Sequence, residues 1–325
     1  MQGSSSRHRW GPFSFWVSQR MLQRSVLFAF CLSLCVSPVF LYGQERSLLG
    51  GDQVTILYEE PWKGAAQGVV EAYSTAKRNV EQKLGWAATF SPTVVLVRDS
   101  IVFQGMVGSA LFAAYAVPES NLIVIDQSRM SISPFTIEVT LEHEFCHLLL
   151  YDHLKGKDIP KWLEEGVCTW VSQGIAEIMT EQKRSLLNEA LLAGRVIPLR
   201  ALSRGFPRDR ESLPLAYAES KSIVSYMVET HGLEGLLETL RWVRQGHPWE
   251  EAVQGALGIP FDELERSWSE SLKKRLTWFT YLINNLYEIL FFVAAVLAIC
   301  GFWRALRKKK AYMKSEEEDN GGSPE

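Results

Sequence analysis

Residues 141–150 read LEHEFCHLLL, and the fold turns on how this stretch is understood. On a helix, side chains four apart lie one turn apart on the same face. His143 and His147 then reach one metal ion together, while Glu144, one residue along, can touch a water on that ion. This is the H-E-x-x-H arrangement, two imidazole ligands with an acid placed as general base. Zinc is the metal that best suits two histidines and a carboxylate. The chain holds only six histidines, so a chance match is rare, on the order of one in a hundred. Two histidines on a water-facing helix would also not be surrounded by Leu141, Phe145, Leu148, Leu149 and Leu150.

A catalytic metal of this kind needs a third protein ligand and an open position for water. His153 lies six residues after His147. That spacing serves as a ligand only where the helix breaks at a glycine, and Leu150 occupies that place. On an unbroken helix His153 points away from the pair. The alternative is an acid from residues 160–171, PKWLEEGVCTWV, whose own helix can pack beside the first. Glu164 and Glu165 both remain open on the residues alone.

Outward from this centre the chain reads as strands followed by helices, an α+β domain. Strands are expected at 54–58, at 93–97, and as a hairpin of 113–117 and 122–125 around Pro118 and Asn121. Residues 65–84 carry Val69, Ala72, Tyr73, Ala76 and Val80 at helical spacing, closed by Gly85. Gly105 and Gly108 mark a loop. The motif helix is expected to start after Ser133, with Pro134 at its first position, and to end near Tyr151. A second helix starts near Pro160, and 216–230, 233–243 and 261–274 are helical in pattern. Residues 113–117 read equally as a plain core strand or as one that takes up an added peptide strand.

The chain has 325 residues, 47% of them apolar and 22% charged, with a formal net charge of −3. That composition excludes a mostly disordered chain, and the balance of charge gives no reason to expect nucleic acid as a partner. Residues 26–42 carry no charge, follow Arg7, Arg9, Arg20 and Arg24, and end near Gly43. They predict a secretory signal peptide or an uncleaved N-terminal anchor over 1–43, with Met21 as an alternative start. Residues 282–303 are apolar apart from Glu288 and long enough to span a bilayer. Arg304, Arg307, Lys308, Lys309, Lys310 and Lys314 follow, against Lys273, Lys274 and Arg275 on the other flank. The bias puts the basic, then acidic, tail 304–325 in the cytoplasm and residues 44–275 outside a single-pass cytoplasmic (inner) membrane. The acidic end after Lys314 reads as solvated and disordered. Of the five cysteines, Cys146 and Cys168 fall in the folded part. They read as buried free thiols, with a disulfide between the two metal-bearing helices as the sharper alternative.

HEFCHLLL followed by PKWLEEGVCTW resembles the gluzincin metallopeptidases, the thermolysin and aminopeptidase N group, and most closely their peptidase MA-like relatives. The resemblance extends weakly to LAYAESKSIVSYMVETHG and LERSW. It implies a zincin-like domain with an N-terminal mixed sheet, an active-site helix and a helical C-terminal part. It also implies one Zn2+ held by His143, His147 and Glu165, the glutamate before glycine rather than Glu164. Glu144 would be the general base for hydrolysis of a peptide or protein substrate. Tyr217, in LAYAES, falls where aminopeptidase-type relatives place a transition-state tyrosine, and reads equally as a tyrosine on an ordinary helix face. His231 and His247 are the other candidates for that part. The chain lacks a G-x-M-E-N-like strand motif, which tilts the expectation towards an endopeptidase. A catalytically silent module holding a membrane partner is the alternative, although such a module would not need Glu144. Burial of the motif in lipid is excluded by Glu138, Glu142, Asp152 and Lys155 around it.

Overall fold

The computed structural model describes residues 46–130, 136–174, 186–284 and 286–320. The expected N-terminal signal or anchor (1–43), and Ser133 with Pro134, lie outside them. Five strands form one mixed sheet in the order β1-β2-β3-β5-β4. They are β1 (Arg46–Gly50), β2 (Thr55–Glu59), β3 (Thr93–Val97), β4 (Ala114–Val117) and β5 (Leu122–Asp126). Strands β2, β3 and β5 run parallel, while β1 and β4 close the two edges antiparallel to their neighbours.

Parallel neighbours need a crossover, and helix α1 (Lys63–Leu84) supplies the one between β2 and β3. Its apolar positions fall on one face: Ala66, Val69, Tyr73, Ala76, Val80 and Leu84 are all buried. Gly85 ends it in the left-handed region at φ 69°. Between β3 and β4, where a loop was expected at Gly105 and Gly108, runs α2 (Ser100–Val107). Asp99 caps it by accepting from the Ile101 N–H at 2.7 Å, and Gly108 ends it. Its Phe103 covers Val97 and Val124 on the second face of the sheet. The hairpin β4–β5 turns through Pro118–Ser120 and a left-handed Asn121, as expected.

The motif helix α3 (Ile137–Leu154) is capped by Thr136 rather than Ser133, the Thr136 hydroxyl accepting from the Val139 N–H. It stops at left-handed Lys155 and Gly156, whose N–H groups return to the Asp152 and Tyr151 carbonyls. Helix α4 (Lys161–Ser172) follows with Pro160 as its N-cap residue. Trp162, fully buried, packs edge-on to Trp249 and flat against Phe261. Lysines from two other elements meet the α4 C-terminus: Lys83 donates to the Trp170 and Val171 carbonyls, and Lys221 to that of Gln173. Cations there complement the helix dipole.

The remainder is helical: α5 (Leu186–Leu192), α6 (Leu199–Leu202), α7 (Ser212–Arg244), α8 (Trp249–Leu257), α9 (Phe261–Asn284) and α10 (Leu286–Asn320). Two expected helices form one element, α7, broken at Gly232, which alone is non-helical there (φ 74°, ψ 168°). Glycine 166 sets the spacing between α4 and α7. A Cβ on it would stand 2.4 Å from the Ser220 carbonyl oxygen and 2.7 Å from Val224 Cγ2, so only glycine lets the helices approach this closely. The C-terminal helix does not stop at the basic residues but continues to Asn320, where disorder was expected. Lys, Ala, Met and Glu dominate that stretch, all good helix formers.

Candidate metal centre

Helix α3 is apolar almost all round, because α1, α4, α7 and the sheet surround it. Its His143, Glu144 and His147 are nevertheless buried. A polar group hidden this way needs a partner, and for the two histidines α4 brings the carboxylates of Glu164 and Glu165. His143 Nε2 and His147 Nε2 lie 3.2 Å apart, and Glu165 Oε2 is 3.4 Å from each. At 3.4 Å these are longer than well-formed hydrogen bonds, and Glu165 Oε2 makes none despite its burial. A tetrahedral ion with bonds of about 2.0–2.1 Å would space its ligands about 3.3–3.4 Å apart. The triangle fits such an ion, and these three residues form a group that could hold one.

Two neighbours sharpen the triangle. Glu164, passed over as a ligand, accepts from His147 Nδ1 at 3.0 Å. A carboxylate there accepts the Nδ1 proton, and whenever the ring is neutral this leaves the Nε2 lone pair facing His143 and Glu165. Lys161, at the start of α4, reaches Glu165 Oε1 at 2.5 Å and Glu164 Oε2 at 3.3 Å. Burial would push the Glu165 carboxyl up, yet Lys161 and then the imidazoles hold it well below the usual carboxylate range. For Glu164 the same contest with burial ends at about 2, with Lys161 and His147 on the winning side. Both acids are therefore ionised and ready to bind a cation. The signal for Lys161 and Glu164 was present in the sequence, as cation and acids at helical i, i+3 and i+4 spacing.

Glu144 and Tyr217 open onto one cleft of about 950 Å³ with His147, Lys161, Glu164 and Glu165. Tyr217 arrives from α7, its ring edge-on to Phe206 at 5.0 Å. Edge strand β4 borders the same cleft through Ala114, Tyr115 and Ala116. Neither His231 nor His247 lines it. His153 is still on α3 and lies flat on Trp86, ring centroids 3.7 Å apart, so it is excluded from the centre as the unbroken helix requires. Cys146 and Cys168 are buried free thiols, with no disulfide between them. Burial, together with Cys146, pushes the Cys168 thiol well above its ordinary pKa and leaves it inert.

None of the curated proteins matches the chain. A family model described as Peptidase MA superfamily matches residues 91–274, from just before β3 to within α9. That span takes in both helices of the His-His-Glu group, the edge strand and the cleft. With this match over more than half its length and with its zincin-like α+β fold, the chain belongs to the Peptidase MA superfamily.

Proposed function

We propose that the protein is a membrane-anchored zinc metallopeptidase. The observation that carries the reading is the triangle of His143 Nε2, His147 Nε2 and Glu165 Oε2, with separations of 3.2, 3.4 and 3.4 Å. These three side chains would hold one Zn2+. When bound, the ion supplies Lewis acidity, lowering the pKa of water to about 7 and polarising a carbonyl. Glu144 takes the proton of the attacking water and passes it to the departing amine. Tyr217, across the cleft, donates a hydrogen bond to the oxygen on which charge develops. Strand β4 offers its open edge to an extended peptide, which would add as a further strand. An interior segment suits this edge better than a chain terminus, because residues 113–117 bring no acid for a free amine.

The anchor is α10. Within Leu286–Lys309 an 18-residue window has a mean hydropathy of 2.3, and none of that window is buried. With the basic residues that follow, this supports a span at about 282–303, a cytoplasmic tail at 304–325 and a catalytic domain at 44–275 outside the cytoplasmic membrane. A signal peptide or anchor at 1–43 would deliver the domain there.

Glu144→Gln tests the reading directly. The variant keeps the metal, measured by elemental analysis of the purified protein, and loses about 10²- to 10⁴-fold in peptide cleavage. Undiminished cleavage would refute the assigned base. Wild-type protein that takes up no stoichiometric metal would remove the foundation.

A further inference from the structure

Helix α4 begins with a cation, where helix electrostatics favour an acid. Lys161 is its first residue, directly after Pro160. The partial positive charge of a helix N-terminus repels an ammonium there. The order of residues is unhelpful as well, because lysine four before glutamate is the weaker of the two arrangements on a helix. Helix stability therefore gives no reason for Lys161, and the reason lies in what it touches.

Its Nζ is 2.5 Å from Glu165 Oε1 and 3.3 Å from Glu164 Oε2. These contacts divide both carboxylates in the same manner. In Glu165, Oε1 is held by the ammonium, while Oε2 faces the two imidazoles at 3.4 Å from each. In Glu164, Oε2 meets Lys161 while Oε1 accepts from His147 Nδ1 at 3.0 Å. One ammonium is thus joined to two members of the metal triangle, to Glu165 directly and to His147 through Glu164. The turn that carries it has little freedom. Trp162 and Leu163, next in sequence, are fully buried, and Gly166 lies against the Ser220 carbonyl of α7. The Glu165 side chain is 3% exposed and that of Lys161 39%, so the acid is fixed in the interior and the lysine reaches it from the cleft.

The division of Glu165 has a chemical consequence. A carboxylate with both oxygens free can bind a metal through one of them or both. Beside two histidines, one oxygen leaves a tetrahedral ion its fourth position for water, whereas two oxygens fill that position. As a charge, Lys161 only repels an incoming cation. Its place beside the triangle makes sense for orientation instead.

We propose that Lys161 is a positioning residue that keeps Glu165 a one-oxygen ligand, and so keeps the fourth position of the metal open. The ammonium does not touch the reacting atoms; it acts through Glu165. The inference rests on the metal part of the proposed function and is independent of peptide cleavage.

The test uses the full chain in detergent with Co2+ as the bound ion, whose visible absorption is strong in a four-coordinate site and weak in a five-coordinate one. The wild type is expected to give the strong spectrum and to bind azide at the open position. Lys161→Met, which keeps the stem but has no ammonium, should lose the strong absorption and bind azide at least about tenfold more weakly, as Oε1 takes that position. Lys161→Arg should bring azide affinity back to within about threefold of wild type, since a guanidinium also holds a carboxylate. Glu164→Gln leaves the pairing of Lys161 with Glu165 in place and should keep the four-coordinate spectrum. Thermal midpoints identify a variant that does not fold; Lys161→Ala, with the best helix former, then replaces Lys161→Met with the same expected change. A Lys161→Met protein with the spectrum and azide affinity of the wild type overturns the inference. So does a change that Lys161→Arg fails to reverse or that Glu164→Gln reproduces, because any disturbance of this turn would then suffice. Wild-type protein that takes up neither Co2+ nor Zn2+ would instead sink the metal centre itself, and this inference with it.

Discussion

Helices α3 and α10 are both rich in leucine and phenylalanine, and the chain treats them in opposite ways. In α3, Leu141, Leu148, Leu149 and Leu150 are at most 2% exposed, covered by α1, α4, α7 and the sheet. In α10, Leu290, Phe291, Phe292 and Leu297 are 56–77% exposed, with none of the described residues laid over them. The difference lies in the polar residues between. Helix α3 carries Glu142, His143, Glu144 and His147 within two turns, and a helix with such groups must sit where they can be paired. Between Glu288 and Arg304, α10 carries no charge, so nothing limits its burial to a protein interior. Apolar content alone does not separate a core helix from a membrane helix, but the placement of its ionisable groups does.

One substitution made in both helices breaks the symmetry most sharply. Leu149→Lys puts an ammonium into the packed apolar core, where Leu149 is 1% exposed. The expected cost is at least about 4 kcal/mol, enough to unfold the domain or leave it without metal. Leu297→Lys is expected to leave the thermal midpoint of the catalytic domain unchanged. It should instead lower the fraction retained in membranes, because a lysine at the centre of a span costs about 2.5–3.5 kcal/mol. Melting and membrane fractionation of both variants decide the matter. A lowered midpoint for Leu297→Lys, with full membrane retention, would mean that α10 packs on the domain.

Glycines sharpen the same contrast. At Gly166 an added methyl meets the Ser220 backbone oxygen and Val224, whereas at Gly301 in α10 it meets nothing within 4 Å. Gly166→Ala should cost about 2–3 kcal/mol, the upper part of the range for overpacking, since a backbone atom cannot swing aside. It should also weaken zinc binding, because Glu165 sits one residue away on the helix being pushed. Gly301→Ala should alter neither thermal midpoint nor zinc affinity. Equal midpoints for Gly166→Ala and wild type would show that α4 and α7 can part without strain.

The metal triangle was readable because its spacing obeys local geometry. Residues four apart share a helix face whatever surrounds them, so His143 and His147 needed no tertiary information. Glu165 came from the resemblance, since the residues alone did not choose between it and Glu164. The part played by Glu164 depends on which ring nitrogen of His147 it meets, a fact of packing. The same holds for Phe206, which lies 59 to 63 residues beyond the motif histidines and glutamate and lines the cleft beside Tyr217 of α7. Helix α2 was missed because Gly105 and Gly108 look like loop residues. In the fold, Phe103 buried against Val97 and Val124 outweighs the helix cost of Gly105, and Gly108 ends the helix. Strand β1 carried no clear alternation and owes its place to pairing with β2.

Glu219 offers the smallest of these effects and the clearest sign. Like Glu165 it is a buried carboxylate, but its surroundings lack any cation comparable to Lys161. Burial pushes its pKa up to about 8, the Ile197 N–H pulls it partly back, and Glu265 adds repulsion. Its Oε2 makes no hydrogen bond. The folded protein therefore keeps a proton that the unfolded chain, near the ordinary value of 4.5, gives up. Stability is fullest below about pH 4.5 and falls as pH rises through the interval up to about 8. By pH 7 the loss is on the order of 2 kcal/mol once the remaining exchange with solvent is allowed for. Glu219→Gln keeps the acceptor for Ile197 and cannot ionise. Its thermal midpoint should match that of the wild type near pH 4.5 and exceed it by several degrees at pH 7–8. Midpoints that run parallel across that range would mean that Glu219 ionises in the folded protein as readily as in water. A route for solvent to its Oε2 would then have to exist behind α7.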